Sequence, residues 1–234
     1  MKIALVGSAP SSVALAPYDD KEWAIWGCSP GAYPHLKRCD AFFELHRWRP
    51  GEDGFTPQYI EWMAGLTCPV YLLEQRPDIP QSVAFPSERL LDQYRGLARS
   101  FFSSSLSWML AYAIDHPGVE EIGLWGVDMA AQDEYGHQKP GCHFFMLEAE
   151  RRGIKVTVPP QSDLGRPIPL YGVGESDPMR IKLDARRKEL LARHAAIQER
   201  MTQHDAEYRR AREEMLFVQG ALDAQQYFEQ TWTD

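Results

Sequence analysis

Ile3-Ala4-Leu5-Val6-Gly7-Ser8-Ala9-Pro10-Ser11-Ser12 carries four apolar residues straight into a turn of glycine, proline and serine. An apolar run without polar alternation marks a strand buried on both faces, which belongs in a parallel sheet. The glycine after it lets the backbone turn tightly, and the hydroxyls that follow stand where a phosphate could rest. This one stretch predicts an α/β protein of Rossmann-like type, and the segments downstream repeat the same grammar.

Five further short runs, at 23–26, 41–45, 70–73, 122–125 and 154–158, are rich in β-branched and aromatic residues and bounded by turn formers. Between them, residues 105–115 place Leu106, Met109, Leu110 and Ala113 on one helical stripe, and residues 144–152 read as a helix closed by Gly153. The alternation predicts a mostly parallel sheet with helices on both faces over residues 1–165. Residues 166–178, rich in Pro and Gly without periodicity, read as a linker. Beyond it, Leu190, His194, Ile197 and Met201 begin an alternation of four and three residues that continues to Leu222. Such spacing predicts a helical tail over 179–234, as a coiled coil or hairpin, with Gly220 interrupting the helix. A periodic run of that length exceeds what a helix packed on its own domain needs, so the tail is expected to join copies into a homo-oligomer.

Composition narrows the partners. A net charge of -8 repels phosphate backbones, so no nucleic-acid partner is expected. Cys28, Cys39, Cys68 and Cys142 show neither disulfide-framework nor zinc-ligand spacing. No apolar stretch reaches the roughly 18 residues of a membrane span, and the first apolar run is too short for a secretory leader, which predicts a cytoplasmic protein.

In open parallel sheets ligands bind beyond the carboxyl ends of the strands, which selects the loops that should carry chemistry. These are Gly7, Ser8, Pro10 and Ser11 after the first strand, Cys28-Ser29 after the second, and His46-Arg47-Trp48-Arg49 after the third. Gly126 and Asp128 follow the strand at 122–125, and one serine of Ser103-Ser104-Ser105 should cap the next helix. Gly7, Ser8, Pro10, Ser11, Ser29, Ser105, Gly126 and Asp128 are therefore the candidate nucleotide-binding residues. His46, Arg47 and Arg49, with Trp48 as a stacking ring, suit a carboxylate or phosphate of the substrate. The first turn is neither Gly-x-Gly-x-x-Gly nor a Walker loop.

With these loops in order, and with the segments Glu121-Ile122-Gly123-Leu124-Trp125-Gly126-Val127-Asp128 and Tyr135-Gly136-His137-Gln138-Lys139, residues 1–165 resemble the bacterial Rossmann-like sialyltransferases that use cytidine-monophosphate sialic acid. More distantly they resemble pterin-pyrophosphokinase-like proteins of similar fold. The resemblance implies a metal-independent glycosyl transfer from a nucleotide sugar, with His137 as general base and Tyr135 near the substrate. Two departures stand against it: the chain has no asparagine where that family cradles its nucleotide, and Ala130 replaces its phosphate-holding tyrosine. One alternative is a pyrophosphoryl transferase or nucleotide hydrolase in which Asp128, with Asp133 or Glu134, holds Mg2+. Another is a non-catalytic nucleotide-binding or interaction protein working through its tail.

Overall fold

A computed structural model describes residues 1–52, 54–129, 134–165 and 178–232. The chain divides into two compact units, Met1–Ser176 and Asp177–Asp234. In the first, strands β1 (Lys2–Val6), β2 (Trp23–Cys28), β3 (Ala41–Glu44), β4 (Val70–Leu72), β5 (Ser82–Ala84), β6 (Glu121–Trp125) and β7 (Lys155–Thr157) form one sheet, ordered β5-β4-β3-β2-β1-β6-β7. Every neighbouring pair is parallel, as the unbroken apolar runs require. The helices are α1 (Ser29–Ala32), α2 (Pro57–Ala64), α3 (Ser87–Gln93), α4 (Ser105–Ile114), α5 (Lys139–Arg151) and α6 (Pro178–Trp232).

The pleat sorts β1 into two cores. Ile3 and Leu5 join Ile122 and Leu124 beneath α3, α4 and α5, where Met109 and Phe145 are fully buried. Ala4 and Val6 face the other way, against Val13 and Tyr18, and farther along that face α2 packs Tyr59 and Met63 on Phe42 and Val70. Helices thus cover both faces. Phe43, stacked on Tyr71 with ring centroids 4.6 Å apart, is completely buried, and its truncation to alanine would cost about 3–5 kcal/mol.

Several boundaries differ from the sequence reading. α5 begins at Lys139, five residues before the expected start, because Pro140 is tolerated in a first helical turn and Gly141 is needed there. A Cβ at Gly141 would lie 2.3 Å from the carbonyl oxygen of Phe101. α6 runs without interruption through Gly220, correcting the expected break: an isolated glycine costs a helix about 1 kcal/mol and does not end it. The expected strand at 154–158 is three residues long, and β5, a three-residue strand with Val83 and Ala84 exposed, is not picked out from the sequence. Residues 166–177, nearly all of the expected linker, lie outside the described residues.

The turns after β1 and β6 cross at backbone contact. Gly7 N–H donates to the carbonyl of Trp125 (2.9 Å) and Ala9 N–H to that of Gly126 (2.7 Å). A Cβ on either glycine would stand 2.5 Å from the other's carbonyl oxygen, and Gly126 has φ +66°. Buried Ser12 accepts the Gly126 N–H through Oγ at 2.9 Å. Ser12→Ala should therefore destabilise the protein by about 1–3 kcal/mol through an unpaired buried N–H, and Gly126→Ala by more, since it adds a clash to the left-handed backbone. Chemical denaturation measures both, and a Gly126→Ala protein as stable as the parent would show that the crossing is not tight.

Candidate functional site

The strand order reverses at β1, which has β2 on one side and β6 on the other, and a cleft of about 600 Å3 opens beyond the carboxyl ends of these strands. Gly7, Ser8 and Ala9 from the β1 turn, Cys28 and Ser29 after β2, and Leu45 and His46 after β3 line it. The opposite wall holds Phe102 to Leu106 and Trp108 from the start of α4, and Gly126 to Met129 with Glu134 and Gln138 beyond β6.

α4 starts in this cleft because Ser104 caps it. Its Oγ accepts the Ser107 N–H at 3.1 Å, while the Ser107 Oγ accepts the Ser104 N–H at 3.0 Å. The N–H groups of Ser105 and Leu106 then stand at the helix start, in residues that line the cleft. Ser29 (φ +66°) and Met129 (φ +50°) hold left-handed backbone that costs a non-glycine residue about 1–2 kcal/mol. Both are in the lining, where local strain commonly marks function. Phe102 and Trp108 rings lie 4.0 Å apart and form an aromatic wall.

Among the residues singled out from sequence, Gly7, Ser8, Ser29, His46, Ser105, Gly126 and Asp128 come together here. Ser11 stands behind them and donates to Asp128 Oδ1 at 2.7 Å, fixing that carboxylate rather than lining the cleft. Pro10 is exposed outside the lining. Arg47 and Arg49 are also exposed, with Arg49 3.5 Å from Glu52. Trp48 packs on Phe55 and carries the Arg76 guanidinium 4.0 Å above its ring, so it is used within the fold and does not stack in the cleft. His137 sits on a single turn of π-helix, Glu134–Gln138, and is exposed; Glu134 and Gln138 of that turn, not His137, line the cleft. Tyr135 belongs to the same turn, with its side chain outside the described part, and Asp133 and Ala130 lie outside the described residues.

Sequence reading missed Glu44. It is 1% exposed, accepts the Tyr59 hydroxyl at 2.6 Å on one oxygen, and on the other meets the backbone N–H (3.1 Å) and Nδ1 (2.6 Å) of His46. With both oxygens acting as acceptors, Nδ1 carries the proton, which orients the ring. Burial, and then the adjoining Glu44 carboxylate, push the Tyr59 phenol far up, so it stays a donor. A glutamate ending the apolar run Ala41-Phe42-Phe43 two residues before a histidine was the available signal.

Electrostatically the cleft is uneven. Among its described lining residues the carboxylates are Asp128 and Glu134, and none is lysine or arginine. Among the described residues, no group of three or more His, Cys, Asp and Glu could hold a metal ion by itself. Cys28, though in the lining, is buried, and burial pushes its thiol up to about 12.

No protein-family model and no curated protein matches the chain. Among solved structures, thiamine pyrophosphokinase from Bacillus subtilis is similar at 14% identity, with a TM-score of 0.43 over 68% of this chain. The matched region spans 60% of that enzyme's length, and a likeness of this size assigns no activity.

The thiols offer a test of what the cleft does not use. A hydrogen bond with Cys39 holds the Cys68 thiol below its ordinary value, whereas burial raises Cys28 and Cys142 to about 12. Alkylation of the native protein near pH 8, read by peptide mass spectrometry, should mark Cys68 and spare Cys28 and Cys142. Prior labelling of Cys28 would make a thiol nucleophile in the cleft a serious contender.

Proposed function

We propose that the cleft binds a nucleotide-type substrate and that the protein transfers or hydrolyses its pyrophosphoryl group with Mg2+. The observation that carries this reading is the pairing of serine and backbone donors with two carboxylates, Asp128 and Glu134, in a lining whose described residues include no lysine or arginine. Phosphates placed there meet hydrogen-bond donors but also like charge, and a divalent cation between carboxylate and phosphate resolves that conflict. Such a cation is ordinarily held by one or two carboxylates, water and the phosphates themselves, which fits a site whose described residues form no three-ligand cage. Bound there, it would neutralise the charge that develops on the phosphate oxygens.

The chain's own groups would do the rest. Ser8, Ser29 and the first N–H groups of α4 hold and orient phosphate oxygens, and the Phe102–Trp108 wall offers a face for a ring. His46, with Nδ1 committed to Glu44, acts through Nε2. It takes the proton of an attacking hydroxyl or water as that oxygen bonds to phosphorus, and the bond to the leaving phosphate breaks on the opposite side. Glu44 is a positioning residue in this scheme, because it touches the imidazole and is buried outside the lining.

The metal-free glycosyl-transfer reading depends on His137 as base, and that residue's exposed place outside the lining gives it less support. The two are separated by calorimetric titration of the full chain with nucleoside triphosphates, and with cytidine nucleotides, with and without Mg2+. Binding should require Mg2+ and weaken at least about tenfold in Asp128→Asn. Cytidine-nucleotide binding indifferent to Mg2+ would restore the glycosyl-transfer reading, and no binding by any nucleotide would leave an interaction protein. Once turnover is found, His46→Ala should lower it about a hundredfold or more, while His137→Ala leaves it within about twofold.

A further inference from the structure

The proposed chemistry leaves α6 unused. It is a single helix of 55 residues. Apolar side chains at Leu190, Met201, Tyr208, Met215 and Leu222 are 47–67% exposed along it. A helix of this kind draws its stability from covering such a stripe. With His194 and His204 counted among its positions, the stripe recurs every 3.5 residues on average, alternating fours and threes from Leu190 to Leu222, which is the period of a helix supercoiled on another helix.

Charge selects the occupant. In a parallel, in-register pair, the residue preceding one seam position meets the residue five places farther along the other helix. Arg200, before Met201, then meets Asp205 of the partner subunit, and Glu207, before Tyr208, meets Arg212 of the partner subunit. Both contacts are of opposite sign, and symmetry makes each occur twice. Residues five apart do not face each other within one helix, so this matching serves no purpose inside α6. Contacts within the helix, Asp205 with Arg209 (3.3 Å), Arg186 with Glu189, and His204 with Glu207 (3.4 Å), use the ordinary spacings of four and three. We propose that α6 forms a parallel, in-register, two-stranded coiled coil with α6 of a second copy of this chain.

Sedimentation equilibrium of the full chain, the two single reversals Glu207→Arg and Arg212→Glu, and the double reversal tests this. The parent should be a dimer at micromolar concentration. Each single reversal should weaken dimerisation about tenfold at low salt, and the double should return it to within about threefold of the parent. A seam variant, Met201→Asp, should be monomeric while near-ultraviolet circular dichroism shows the aromatic core of the sheet domain intact. A monomeric parent, or a trimer, overturns the proposal. So does a dimer whose double reversal is as weak as the singles, which would mean an antiparallel or shifted pairing.

Discussion

The floor of the cleft depends on two loops passing at backbone contact. Because Gly7 and Gly126 lack side chains, the turns after β1 and β6 share hydrogen bonds instead of merely lying side by side, and Ser12 fastens them from below. Ser11, next in sequence, reaches from the same turn to Asp128. One short segment thus sets both the floor of the cleft and the orientation of the Asp128 carboxylate. Behind it, Ser162 donates to the Val127 carbonyl and accepts the Leu164 N–H, so the loop after β7 braces the same turn from the far side.

The parallel sheet was legible because its central strands run apolar on both faces, and a parallel sheet covered by helices is what accepts such strands; the spatial order of the strands and the short edge strand β5 were not. The first-strand turn, Ser29, Asp128 and the serine cap were legible for the same reason, since they follow strands or precede a helix. What escaped was set by tertiary contact. Glu44 looks like the end of a strand and becomes part of a polar couple only when Tyr59, fifteen residues on, is brought against it. Phe102 and Trp108 carry no mark of a site in the sequence, and they form a wall of the cleft only where α4 begins beside the β6 turn. The early start of α5 was hidden by Pro140 and Gly141, which are loop formers in isolation and helix formers in this setting. His137 is singled out by its neighbours' resemblance to a motif, and the structure places it exposed on the π-turn, outside the described lining.

The polar design of the cleft is economical in side-chain charge. Donors come from serines and backbone, acceptors from Asp128 and Glu134, and the imidazole is steered by a carboxylate held out of solvent. Burial of Glu44 is tolerated because both of its oxygens are engaged, which offsets the desolvation a lone buried carboxylate would suffer.

The two outermost strands, β5 and β7, have a consequence for how the protein behaves at high concentration. Each is only three residues long, and β7 sets Lys155 on the rim in an ion pair with Glu121 at 2.9 Å. Edges so short, with a charge on one, offer little template for another chain's backbone, so a sheet built of strands this apolar can remain dispersed without runaway strand-to-strand aggregation.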